Sequence, residues 1–244
     1  MKTVPFAAIV GNYRKDKLRE ELMSDWGSVV FYRLPAFVIA WLMVPAGVTP
    51  NQLTLLGAVM VPAMAAASFV LAPHAAMIAL TVLALAFNIL DCADGPLARA
   101  TGRSSLAGRY MDFSADILYR NVAYACYGLV ADRLWPGAPF PWLGVGLCCA
   151  VFVTSARLNR VYAAKLFASP QAPAPLSATP ASLPQIAFAV LSGLDTLLPL
   201  IALAAWAAGV LWLALLWFLA YTASDALIAF VEGYLAARKA DAAL

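Results

Sequence analysis

From Pro184 to Ala236 the chain runs without a single Lys or Arg, and only Asp195, Asp225 and Glu232 interrupt its apolar character with charge. Apolar runs of this length belong in a bilayer, where each crossing helix needs about 20 residues. This run is long enough for two crossings, with a break near Ala208-Gly209. Asn51 to Leu71, His74 to Leu97, Leu106 to Val130 and Phe140 to Lys165 each supply one more. Hydrophobic residues make up 64% and charged residues 12% of the 244, far from the balance of a water-soluble domain. The expected fold is all-α and polytopic, with six transmembrane helices.

Ser28 to Ala46 is apolar enough for a seventh crossing, but Arg33, Pro35 and Pro45 interrupt it. It is read as an amino-terminal amphipathic helix lying in or dipping into the membrane interface; a true span would reverse the topology relative to the amino terminus. The cations are one-sided. Lys2, Arg14, Lys15, Lys17 and Arg19 precede the first span, Arg99, Arg103 and Arg109 lie between the second and third, Arg157, Arg160 and Lys165 end the fourth, and Arg238 and Lys239 follow the sixth. The opposite connections carry Arg133 alone. The positive-inside rule assigns the basic segments to the cytoplasm, and the expected setting is a bacterial inner membrane. The organisation that follows is an interfacial and cytoplasmic segment at 1–47, a six-helix membrane domain at 48–239 and a tail at 240–244, with Ser169 to Pro184 a flexible linker.

A net charge of +3 is too small for nucleic-acid binding, and the basic residues are topology determinants and contacts to anionic headgroups. Thr3 to Val10, followed by Asn12-Tyr13-Arg14-Lys15, lacks the charge order and length of a cleaved signal peptide. Cys92, Cys126, Cys148 and Cys149 lie in apolar context and read as free thiols.

Against this apolar background stand four aspartates. Asp91 and Asp94 close one apolar run, and Asp112 and Asp116 lie inside the next. On a helix, each pair projects from one face, and two such helices side by side would bring four carboxylates into a small volume. Unpaired, they would repel one another and take up protons; with one or two divalent cations between them they become ligands. All candidate ligands are oxygens. The only histidine, His74, is remote, and the cysteines have no zinc spacing. The ion implied is Mg2+ or Mn2+, two ions being the fuller reading, with Ca2+ admissible.

The residues Asp91, Asp94, Gly95, Ala98, Arg99, Gly108, Asp112 and Asp116 fill every fixed position of D-x2-D-G-x2-A-R-x8-G-x3-D-x3-D. This pattern resembles the signature of the CDP-alcohol phosphotransferase family. Pro50-Asn51-Gln52-Leu53-Thr54 is similar to the P-N-x-x-T opening of that family's first membrane helix, and the likeness covers about Val48 to Arg120. The resemblance implies an interfacial helix before the first span and a homodimer. It implies Asp91, Asp94, Asp112 and Asp116 as metal ligands, with Asp116 also the general base. It implies a CDP pocket lined by Asn51, Thr54, Gly95, Ala98, Arg99 and Gly108. The expected reaction moves a phosphatidyl-type group from a CDP-linked lipid, CDP-diacylglycerol being favoured, to a small polar alcohol, releasing CMP. Physically, Gly95 allows close backbone approach, Pro96 fits a helix loosened at this point, and Arg99 offers a planar cation to phosphate.

Arg157 and Arg160 share a helix face that suits a phosphate or carboxylate, with membrane anchoring an equal alternative. The expected acceptor bears phosphate, as glycerol phosphate or inositol phosphate do, ahead of serine. Arg120, four residues after Asp116, reads as its salt-bridge partner, and Asp195, Asp225 and Glu232 as helix-helix contacts. The same motif also serves the reverse logic, in which a CDP-alcohol donates to diacylglycerol. The rival from another class is a cation-coupled transporter, but transporters hold their carboxylates near the midplane between repeated halves, and no repeat is evident. A silent scaffold is at odds with the complete acid set.

Overall fold

Every regular element of this computed structural model, which describes residues 4–167, 191 and 193–242, is helical. Two short helices, α1 (Phe6–Asp16) and α2 (Leu18–Ser24), lead into a π-helical turn, Ser28–Tyr32, that continues as α3 (Arg33–Ala46). The long helices follow: α4 (Pro50–Val70), α5 (Pro73–Thr101), α6 (Leu106–Leu134) and α7 (Trp142–Leu166), then the shorter α8 (Leu198–Ala207) and finally α9 (Leu211–Asp241). The expected linker at Ser169 to Pro184 lies outside the described residues.

The boundaries follow from local chemistry. Gly47 ends α3 at φ +71°, in the left-handed region that favours glycine. Thr49 then opens α4 with a capping box, its hydroxyl accepting from the Gln52 amide and its own amide donating to Oε1 of Gln52 at 2.8 Å. Pro50 and Pro73 each stand in the first turn of a helix, where a missing N–H is harmless. Ser105 caps α6 by accepting from the Gly108 amide at 2.9 Å. Gly209, at φ +73°, makes the expected break between α8 and α9.

Five described stretches are long and apolar enough to cross a membrane by length and composition: Ser28–Ala46, α4, α5, α7 and α9. At 29 residues α6 is as long as α5, but Arg109, Asp112, Asp116, Arg120, Asp132 and Arg133 keep it off that set. Its midsection is nonetheless core. Tyr119, Ala123, Tyr124, Tyr127 and Val130 are buried with Val61, Met64, Met77, Leu80, Phe87 and Phe218, and Tyr119 stacks on Phe87 with ring centroids 4.0 Å apart. Large apolar side chains such as Leu55, Val59, Phe69, Val82, Leu213 and Phe230 are exposed on the outside, as a hydrocarbon solvent permits and water would not.

Charged groups of α6 tie one end of the bundle together. The carboxylate of Asp132 accepts from the amides of Trp142 and Leu143 at 2.6 and 2.9 Å, capping α7. Arg133 donates to the carbonyls of Ser68 and Leu71, which the end of α4 leaves without helical partners. His74 packs against Trp206, and the four cysteines are free.

Candidate active site

The aspartates occupy the carboxyl-terminal part of α5 and the first turns of α6. Pro96 lacks an N–H, so the carbonyl four residues earlier, that of Cys92, loses its helical partner. The expected loosening does not break the helix, which runs on to Thr101. Arg33 of α3 donates to the Cys92 carbonyl at 2.8 Å and fills the gap.

A cavity of about 620 Å³ opens beside these turns, and Asn51, Thr54, Gly95, Ala98, Arg99 and Gly108 all line it, with Asp94 and Asp112. Thr54 donates its hydroxyl to Oδ2 of Asp94 at 2.7 Å, fixing that carboxylate from the neighbouring helix. A Cβ on Gly108 would stand 2.7 Å from Oδ1 of Asn51, so the glycine leaves room for that side chain between α4 and α6. A Cβ on Gly95 would stand 3.4 Å from a guanidinium nitrogen of Arg99, which lies over the bare backbone at this turn.

Lys17, Arg103 and Arg109 also line the cavity. In the sequence all three read as topology determinants, because a cation near a membrane surface has that explanation at hand wherever it occurs. The Ser104-Ser105 pair beside Arg103 was the available signal, since hydroxyl donors next to a cation suit an anionic ligand.

The four carboxylates lie near one another but differ in their partners. Asp91 and Asp112 lie near each other across the two helices, and Asp94 is held by Thr54. Asp116, which also lies near Asp91, accepts from Nε of Arg120 at 3.1 Å and from Arg157. Among the described residues no three His, Cys, Asp or Glu side chains form a ready-made metal cage. The opposed Asp91 and Asp112, two hard oxygen donors that would repel each other when both are ionised, fit a divalent cation chemically. Asp91 and Asp116 do not line the large cavity.

A second cavity of about 390 Å³ is lined by Asp25, Arg120, Arg157, Arg160, Asp195, Tyr221 and Asp225 among others. Its guanidiniums are paired with acids. Arg120 reaches Asp195 at 2.5 Å, Arg160 reaches Asp225 at 2.5 and 3.1 Å, and Tyr124 donates to Asp195. Asp195 and Asp225 are thus the helix-to-helix contacts expected of them, and they also wall a cavity. Glu232 lies beside Arg160 along a separate groove. Arg157 belongs to both regions, lining the second cavity while pairing with Asp116, one helical turn after Asp112.

Residues 47–220 match the sequence profile of the CDP-alcohol phosphatidyltransferase family. No curated protein matches the chain.

Proposed function

Because the chain belongs to the CDP-alcohol phosphatidyltransferase family, membrane transferases of phospholipid synthesis that move a phosphate-containing group from a CDP-linked substrate to an alcohol, we propose that its donor is CDP-diacylglycerol and its acceptor a small phosphate-bearing alcohol. The observation that carries this reading is the 620 Å³ cavity, whose walls include Asp94, Gly95, Ala98, Arg99, Gly108 and Asp112 of the motif together with Asn51 and Thr54 of α4.

Asn51, Thr54, Gly95, Ala98, Arg99 and Gly108 then bind the CDP moiety. Gly95 admits the diphosphate to the backbone, and Arg99 pairs with it, helped by Lys17, Arg103 and Arg109 at the rim. Asp91, Asp94, Asp112 and Asp116 would hold Mg2+ or Mn2+. A bound divalent cation supplies neutralisation of the diphosphate and of departing CMP. Asp116 takes the proton from the acceptor hydroxyl at a carboxylate oxygen, oriented by Arg120 and Arg157. The second cavity receives the acceptor, with Arg157 and Arg160 facing its phosphate; inositol phosphate and glycerol phosphate rank ahead of serine because the cavity is arginine-rich. The six crossings are α4, α5, α6, α7, the segment containing α8, and α9, with Ser28–Ala46 in the cytoplasmic interface and the enzyme a homodimer. The cytoplasmic orientation of the site rests on the one-sided cations.

Purified protein incubated with Mg2+, CDP-diacylglycerol and a panel of alcohols is expected to release CMP and form the matching phospholipid. CMP released only from a CDP-alcohol with diacylglycerol would overturn the donor assignment. Asp116→Asn is expected to lower CMP release by about a hundredfold or more, the usual worth of a general base; near-normal turnover would remove Asp116 from that role.

A further inference from the structure

We propose that Arg33, which lies outside the motif, is a positioning residue for Asp91 and Asp94, supplying to α5 the hydrogen bond that Pro96 removes. Arg33 precedes the family match at 47–220, and by sequence it is merely a charge interrupting an apolar helix.

The geometry gives it a specific task. A proline inside a helix removes one N–H and pushes its ring toward the carbonyl four residues back. In α5 that carbonyl is Cys92, the residue after Asp91 and two before Asp94. Left alone in a membrane protein's interior, it would be a costly unpaired acceptor and a point of rotation. Nη1 of Arg33 donates to it at 2.8 Å.

The guanidinium is itself held rigidly. Its Nε and Nη2 donate to the two oxygens of Glu21 at 2.8 and 2.5 Å, its carbon lies 5.1 Å from the Tyr13 ring centroid, and Tyr13 donates its hydroxyl to Glu21 at 2.8 Å. Burial and the adjacent Glu21 carboxylate push the Tyr13 hydroxyl above its ordinary range, so it stays a donor. The side chains of Arg33 and Glu21 are 15% and 12% exposed, so the charge faces the protein instead of the headgroups. Only the planar fork of arginine grips a carboxylate with one edge while offering a third N–H to a carbonyl; an ammonium lacks that fixed geometry. Asp91 and Asp94 flank the anchored carbonyl, so the network of Tyr13, Glu21 and Arg33 fixes the turn that bears both.

The role in turnover rests on the proposed reaction, whereas the repair of α5 does not, and the test separates them. R33K keeps the charge beside Glu21 but loses the fork, and P96A restores a backbone N–H to the helix. CMP release and backbone hydrogen exchange over residues 91–99 are measured for wild type, R33K, P96A and R33K/P96A in micelles. R33K is expected to lower kcat by about 10- to 100-fold, as outer partners of a metal site do, with the donor KM changed by less than about threefold. In the P96A background the same substitution is expected to cost less than about threefold. Exchange over 91–99 should quicken in R33K and return in R33K/P96A. An equal loss in both backgrounds, or exchange unaffected by R33K, would overturn the proposal. If wild type releases no CMP, the functional reading fails and exchange alone decides. If R33K is recovered poorly, a higher folded yield of R33K/P96A supports the proposal and an equal yield overturns it.

Discussion

At Gly108 a hydrogen in place of a methyl group leaves room for the Asn51 side chain where α4 and α6 meet. A Cβ there would stand 2.7 Å from Oδ1 of Asn51, closer than packing allows, so Gly108→Ala is expected to swing Asn51 out of the cavity. Its donor KM should rise roughly tenfold, about the worth of one hydrogen bond to a charged group, 1.5 kcal/mol. Asn51→Ala should raise it similarly, and the double variant should be little worse than either, because the clash exists only when both side chains are present. Additive losses would mean that Gly108 serves some other purpose. Spacing on helices made Asp91 with Asp94 and Asp112 with Asp116 legible as same-face pairs, whereas Asn51, Thr54 and Gly108 joined the site only through the family resemblance. It could not reveal that Arg157 pairs with Asp116, because nothing local connects a residue of α7 to one of α6. Nor did it show that Asp116 meets two guanidiniums, which depends on where Arg120 and Arg157 arrive.

Between elements, α6 and α7 approach so closely that glycine is obligatory at two crossings. A Cβ on Gly146 would strike the Tyr124 carbonyl, and one on Gly128 would strike that of Trp142. Small residues replace the hydrophobic drive that lipid cannot supply to helix association. Gly146→Ala is therefore expected to destabilise the protein in micelles by about 1–3 kcal/mol, the usual price of overpacking, read as a lowered melting temperature. An unchanged melting temperature would show that α7 moves freely against α6. A break was readable in sequence where its cause was local, as at Gly209. The persistence of α5 through Pro96 was not, because the missing bond is replaced from α3, more than fifty residues earlier in the chain. Likewise the charges that keep α6 from looking like a span are explained only when Asp195 and Arg157 are seen beside it.

For the molecule as a whole, one end is tied by Asp132 and Arg133, while the other carries both cavities and most of the cations. The membrane class was legible from hydropathy, because a bilayer imposes long apolar helices on any chain that crosses it. How Ser28–Ala46 sits was less so, since its composition suits a crossing and its prolines and Arg33 suit the interface. The two cavities share no lining residue: Asp112 borders the first, and Arg157, which borders the second, pairs with Asp116 one helical turn further along α6. Neither room has to empty before the other fills. Initial velocities measured while varying both reactants should thus give intersecting double-reciprocal lines, the mark of a ternary complex. A parallel family would mean that the phosphorus rests on the enzyme between two half-reactions.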